Sequence, residues 1–242
     1  MAIALTGLSH KTCPVELRER LAFRADALPE ALQQLRKHAD GAGCVIISTC
    51  NRVELYVRSE LPPPELHARI RQFLAALQGV PEDSFAPHLY ELANREAVTH
   101  LFRVVSGLDS MVVGEVEIIG QVHEAYLAAE SHAATDKVIS ALFQRAFKVA
   151  KEVRTKSTIG QGKVSVASVA VDLAVSIFMD LAGKTAMIVG SGDTGESALR
   201  HLIARGVGRV LLVNRTLERA QELAQTLQGE PIPLSDLREH LH

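Results

Sequence analysis

At 242 residues, 47% of them hydrophobic, the chain is long enough for two domains and has ample material for a core. A formal net charge of −2 excludes a globally basic nucleic-acid binder, and aromatics at 4% with no Trp argue against base stacking as a main mode of recognition. No apolar run approaches transmembrane length and no secretory leader is visible; three cysteines, at 13, 44 and 50, lack CxxC spacing. A cytoplasmic protein with reduced thiols, no membrane contact and no metal centre is therefore expected.

Ala2–Leu8 reads as a short apolar strand, followed by the polar loop Ser9–Thr12 and a helix starting near Pro14, with Glu16, Arg18, Glu19 and Arg20 interleaved among apolar positions. Leu28–His38 has apolar residues at helical spacing and is broken by Gly41–Gly43. Cys44–Ile47 is β-branched and apolar, the mark of a buried strand. In Val53–Val57, apolar residues alternate with Glu54 and Tyr56, so a half-buried strand is expected there. Ser48–Arg52 lies between these strands as a polar turn with Cys50 at its centre. A thiol on such a turn can face a pocket, and Arg52 beside it would favour the thiolate; equally, a cysteine can simply pack under a hairpin.

Pro62–Pro64 is a stiff break, after which Glu65–Leu77 reads as a helix stopped by Gly79 and Pro81. From Asn94 a long helical stripe runs through Ala97, Val98, Leu101, Phe102, Val105 and Leu108, with His100 at its flank as either a structural or a reactive residue. Gly107 and Gly114 frame a bend that should expose Ser110 and Glu115; Gly120–Tyr126 opens another helix. Charge is uneven: 109–130 holds five acids and no Lys or Arg, whereas 137–163 holds seven Lys or Arg and one acid. The basic stretch, helical from Lys137 to about Thr155, is either a phosphate-binding face or a solvated one.

Lys184–Val189 reads as a strand running into Gly190-Ser191-Gly192-Asp193-Thr194-Gly195, then a helix to about Ala204, then the strand Arg209–Val213. This β-turn-α-β unit with GxGxxG in place predicts a dinucleotide site, the pyrophosphate facing the helix N-terminus. The second strand ends in Asn214-Arg215-Thr216 rather than in an acid, so no carboxylate repels a 2′-phosphate and Arg215 can pair with it; NADPH is the expected cofactor. Beyond a helix at Leu217–Leu227, Glu230–Pro233 offers a possible third strand and Leu234–Leu241 a polar helix. A doubly wound domain needs about six strands, so the chain is expected to be a fragment cut inside its nucleotide domain. The expected architecture is α/β and α+β: a catalytic α+β domain with a helical part over 1–158, then an incomplete Rossmann-type domain over 159–242.

Several stretches, reaching in order from Gly7 to about Thr216, resemble glutamyl-tRNA reductase. Ser48-Thr-Cys-Asn-Arg-Val-Glu54 resembles its active-site signature, and Gly7–Glu19 its opening motif, although Ser9 and Cys13 stand where Asn and Ala are usual. His100–Glu115 is similar to its second signature. Phe147-Lys148, Arg154-Thr155 and Gly162–Val171 are similar to its link into the nucleotide domain, and Ser191, Asp193 and Thr194 depart from its usual glycine loop. The resemblance implies Cys50 as the nucleophile and His100 as a residue of the active site. It also implies a glutamyl pocket drawing on Thr49, Arg52, Ser110, Glu115 and Gln121. Its activity would be NADPH-dependent reduction of glutamyl-tRNA to glutamate-1-semialdehyde through a cysteine thioester, the first step of tetrapyrrole synthesis from glutamate. A homodimer for the full-length protein and a semialdehyde aminomutase partner are implied likewise. Two other readings stay open: a dehydrogenase of a free small molecule, and a non-catalytic tRNA-binding fragment. A chain confined to the thioester half-reaction is a further possibility.

Overall fold

The computed structural model describes residues 1–40, 43–159, 165–190 and 192–241, with only the backbone of Asp193. The chain divides in sequence near residues 161 and 162 into two compact units.

The first unit is built on a four-stranded antiparallel sheet in the order β2-β3-β1-β4, formed by β1 (Ala2–Ser9), β2 (Cys44–Ser48), β3 (Arg52–Ser59) and β4 (Tyr90–Ala93). On one face pack α1 (Val15–Leu21), α2 (Leu28–His38) and α3 (Pro63–Gln78). The other face is covered by α5 (Arg95–Val105), α6 (Glu117–Ser131) and α7 (Lys137–Lys156); α4 (Glu82–Phe85) is a single turn. Helix limits follow local chemistry. Proline occupies the first turn of α3, and Gly79 ends it at φ 62°. Asp136 caps α7 by accepting from the amides of Val138 (3.0 Å) and Ile139 (2.8 Å).

Two expectations are corrected here. The stripe from Asn94 stops at Val105, and Leu108 is exposed, because the chain leaves the helix through Gly107 at φ 73°. More consequentially, β3 is not half-buried: Glu54 and Tyr56 are both wholly inaccessible. As an inner strand it carries helices on both faces, so its polar face becomes a second interior, where the Tyr56 ring meets Phe143 of α7 edge-on at 5.6 Å.

The second unit follows α8 (Val166–Phe178) with β5 (Thr185–Val189), α9 (Asp193–Ala204), β6 (Arg209–Asn214), α10 (Leu217–Leu227) and β7 (Glu230–Pro233). Its three strands are parallel in the order β5-β6-β7, a Rossmann-type arrangement, so the possible third strand is real; the stretch after it is a 3-10 helix, Leu234–His240. Among the described residues, no helix is long and apolar enough to cross a membrane.

Candidate active site

Cys50 occupies the turn between β2 and β3, and that turn is tied down from several directions. Thr49 Oγ1 accepts from the amides of Asn51 and Arg52, both at 3.2 Å, while the Thr49 amide donates to Arg52 O at 2.9 Å. From the loop after β1, the His10 amide donates to Asn51 O at 2.8 Å. Arg18 of α1, itself buried, donates from Nε to Cys50 O and from Nη1 to Cys13 O, each at 2.9 Å. The main chain is thus anchored while the Cys50 thiol stays exposed. The other two thiols are buried: burial pushes Cys44 up to about 12 and also raises Cys13, Arg18 opposing only in part. Only Cys50 combines access with a fixed backbone, the two properties a nucleophilic thiol needs.

Below the turn lies a buried ionic cluster centred on Glu54. Its carboxylate accepts from Arg52 Nη1 (2.6 Å), Tyr90 Oη (2.6 Å) and Tyr56 Oη (2.9 Å), and meets His100 Nε2 at 2.8 Å. Burial alone would raise Glu54; the His100 hydrogen bond and the Arg52 charge overcome it and hold the carboxyl at about 2. Arg52 is 1% exposed and donates its other arm to Asp109 O at 2.7 Å, and Lys11 pairs with the Asp109 carboxylate. Arg52 therefore spends its hydrogen bonds on Glu54 and Asp109, not on the Cys50 thiol that the sequence reading placed beside it.

Gly7 is what lets the cluster close. In the sheet register it lies between Glu54 on β3 and Tyr90 on β4. A Cβ there would stand 2.9 Å from Glu54 Cγ, 2.9 Å from Val53 O and 3.1 Å from Tyr90 Cε2. Without one, the tyrosine reaches across the strand to the carboxylate.

The bend after α5 also differs from expectation: Ser110 and Glu115 are 6% and 8% exposed, not solvated. Gly107 and Gly114, at φ 73° and 90°, fold the loop onto itself through a Gly114 N–H to Gly107 O bond of 2.9 Å, and Arg154 of α7 clasps Glu115 O at 2.9 Å. Burial raises the Glu115 carboxyl against the opposing pull of Ser110 and Arg52. His10 Nδ1 is a buried atom with no hydrogen-bond partner among the described residues, so it has capacity for a bound group. The His10 imidazole is lowered by burial, then by Arg52, Lys11 and Arg18, with Asp109 opposing.

The fold brings together most of the residues the sequence singled out. Arg52 and His100 meet through Glu54; Asp109 joins the Ser110–Glu115 loop to Arg52; Thr49 and Gln121 line one cleft of about 370 Å³ with Phe23, Leu28 and Ile46. Glu54, Tyr90, Asp109, Lys11, Arg18 and His10 are the participants that sequence reasoning passed over. One signal was available: a charged pair at Arg52 and Glu54, two apart, puts both on the same side of an otherwise apolar strand.

In the second unit, Gly190 stands at φ 105° and its amide extends the β5–β6 pairing to Val213 O at 2.8 Å. A Cβ on Gly195 would press on Ile188 Cγ2 at 3.2 Å, so the third glycine permits close approach of α9 to β5. Among the described residues no side chain caps α9 at Gly192, so its first amides can face a ligand, and Thr194 is exposed. Asn214 Oδ1 accepts from the Thr216 amide at 3.2 Å, and Arg215 is exposed. These features fit a dinucleotide phosphate. Ser191 and the Asp193 side chain lie outside the described residues.

Comparison with known proteins gives a consistent result. Residues 6–157 match the family described as glutamyl-tRNAGlu reductase, N-terminal domain, and residues 172–242 match shikimate / quinate 5-dehydrogenase. Curated relatives named glutamyl-tRNA reductase include one from Magnetococcus marinus, 45% identical over all of this chain and 57% of its own length, and one from Brevibacillus brevis, 44% identical over 53% of its own length. A solved structure of glutamyl-tRNA reductase from Methanopyrus kandleri superposes with a TM-score of 0.62 at 36% identity, over 99% of this chain and 56% of that one. The chain therefore spans about half the length of the relatives it matches.

Proposed function

The chain belongs to the glutamyl-tRNA reductase family, and on that premise we propose that it carries the acyl-transfer centre of that reaction together with part of its nucleotide site. The observation that carries the reading is the exposed Cys50 thiol on a turn anchored by Arg18, Thr49 and His10. In this reading residues 1–158 form the catalytic domain and residues 159–242 the nucleotide domain.

Cys50 Sγ, as thiolate, attacks the carbonyl carbon of the glutamyl ester; the bond to the ribose oxygen breaks, and that oxygen leaves with a proton. The product is a glutamyl thioester, and one hard displacement has become two easier ones. Thr49, Gln121, Ser110, Glu115 and the Arg52 cluster surround the glutamyl group, with Glu115 facing its ammonium. His100 is oriented by Glu54, and His10, with Nδ1 open, is the imidazole free to handle the leaving-group proton. Gly190, Ser191, Gly192, Asp193, Thr194, Gly195, Asn214, Arg215 and Thr216 would hold NADPH, which when bound supplies a hydride for the thioester carbon. Loss of glutamate-1-semialdehyde then restores the thiol. A cytoplasmic location, a homodimer and an aminomutase that takes up the semialdehyde belong to the same reading.

Intact-protein mass spectrometry after mixing with glutamyl-tRNA, without NADPH, tests it. A glutamyl adduct on the parent and none on Cys50→Ser is expected. Semialdehyde formation by Cys50→Ser would point instead to a dehydrogenase without a covalent step, and tRNA binding with no adduct to a binding module.

A further inference from the structure

We propose that the exposed faces of α5 and α7 form the docking surface for an RNA phosphate backbone, with a depression at Arg95, Thr99 and Arg103 receiving a phosphate beside His100. The inference rests on the glutamyl-tRNA reading and specifies where the RNA lies.

Arg95, Thr99 and Arg103 recur every fourth residue along α5 and are all exposed, so they form one ridge. With Leu92, Glu96 and His100 they line a shallow depression of about 310 Å³. His100 is the link inward, since its Nε2 reaches Glu54 in the buried cluster. A phosphate held on this ridge would therefore lie next to the side chain that joins the surface to the active site. Two guanidinium groups and a hydroxyl are donors of the kind that hold phosphate oxygens.

Helix α7 packs against α5 and widens the same positive field. Its apolar side is buried through Ile139, Leu142, Phe143, Ala146 and Ala150, which turns Arg145, Lys148 and Lys151 to solvent. Among the described residues, none of these five cations enters an ion pair or a side-chain hydrogen bond. On these two helices the acids are Glu96 of α5 and Glu152 of α7, which Lys156 already engages at 3.6 Å; the exposed Glu117, Glu124 and Glu130 lie on α6, which packs against both. Elsewhere on this chain arginines are commonly spent on carboxylates, as in Arg69–Glu65, Arg71–Glu82 and Arg200–Glu196. Unspent cations on two packed helices gather counterions, and their release drives polyanion binding. The face carries no exposed aromatic ring, so it suits backbone contact rather than base stacking.

Anisotropy of a fluorescent, uncharged tRNA specific for glutamate, titrated with the 242-residue chain at several salt concentrations, tests the surface. The double variant Arg95→Gln/Arg103→Gln should bind at least about tenfold more weakly at low salt. Its log K against log salt slope should be shallower by about 2, roughly 0.9 for each duplex phosphate that is no longer neutralised. Arg145→Gln/Lys148→Gln/Lys151→Gln should flatten it similarly, whereas Arg24→Gln, in the loop before α2, should not. An unchanged slope in both multiple variants, an equal loss in Arg24→Gln, or no binding by the parent would overturn the proposal. Acylation of the parent Cys50 by a small activated glutamyl ester reads the proposed chemistry without RNA. Its failure would strike that chemistry, and the tRNA titration would still decide the surface.

Discussion

Replacing Glu54 by Gln removes one negative charge at nearly constant volume from the centre of the buried cluster. Four groups converge on that carboxylate within 2.9 Å, and Arg52 keeps Asp109, its carboxylate 3.7 Å away, as its remaining ion-pair partner among the described residues. Removing one partner of a buried ion pair costs about 3–5 kcal/mol. Linkage gives a second figure. A carboxyl held at about 2 in the folded state, against 4.5 ordinarily, corresponds to about 3 kcal/mol at about 1.36 kcal/mol per pH unit. The sign follows from the depression: this contribution is complete above pH 4.5 and is lost as pH falls through about 2. The assay is urea unfolding followed by tyrosine fluorescence. The chain has no Trp and its three tyrosines, at 56, 90 and 126, all lie in the first unit, so the signal reads that unit alone. Glu54→Gln should lower the unfolding free energy by about 3 kcal/mol at pH 7, with the gap narrowing below pH 4.5. A loss under about 1 kcal/mol, or one that does not change with pH, would refute the assignment of Glu54 as the ionised hub.

Three further outcomes are expected. Gly7→Ala should cost about 1–3 kcal/mol in the same assay, because the new methyl meets the Val53 carbonyl, which cannot swing away; unchanged stability would mean that the Tyr90–Glu54 bridge is not held by the closeness of the strands. For His10→Asn, Cys50 acylation by glutamyl-tRNA should slow, and the fall in rate as the parent's imidazole loses its proton with rising pH, expected to set in below pH 6.5, should disappear; a fall retained in the variant would assign it elsewhere. Arg215→Ala should weaken NADPH binding about tenfold and NADH binding little, measured by calorimetry; equal losses for both would remove the 2′-phosphate pairing.

What could be read from the sequence is what local chemistry decides. Asp136 before an apolar-periodic run marks the start of α7, and three glycines between a strand and a helix mark the β5–α9 turn, because caps and turns depend on neighbours in the chain. Tyr90–Ala93 carries no strong strand pattern of its own; it is a strand because β1 presents an edge to it. The burial of Glu54 follows from β3 being an inner strand covered on both faces, and that of Ser110 and Glu115 from a loop clasped by a helix some forty positions on. Each of these depends on long-range packing, and each supplies a participant in the candidate site. Cys50, Arg52 and His100 could be picked out as residue types in a suggestive setting. Their connection through Glu54 could not, since alternation assigns that position to solvent.

The unequal exposure of the three cysteines also gives the molecule an internal clock. A neutral alkylating reagent should modify the native chain once, at Cys50, and all three thiols only after unfolding. Cys44 lies on β2, fully inaccessible, so its slow modification measures how often the first unit opens, in the manner of a protected amide. With Cys50 replaced by Ser, that rate reads the stability of the first unit under native conditions, without denaturant and without substrate.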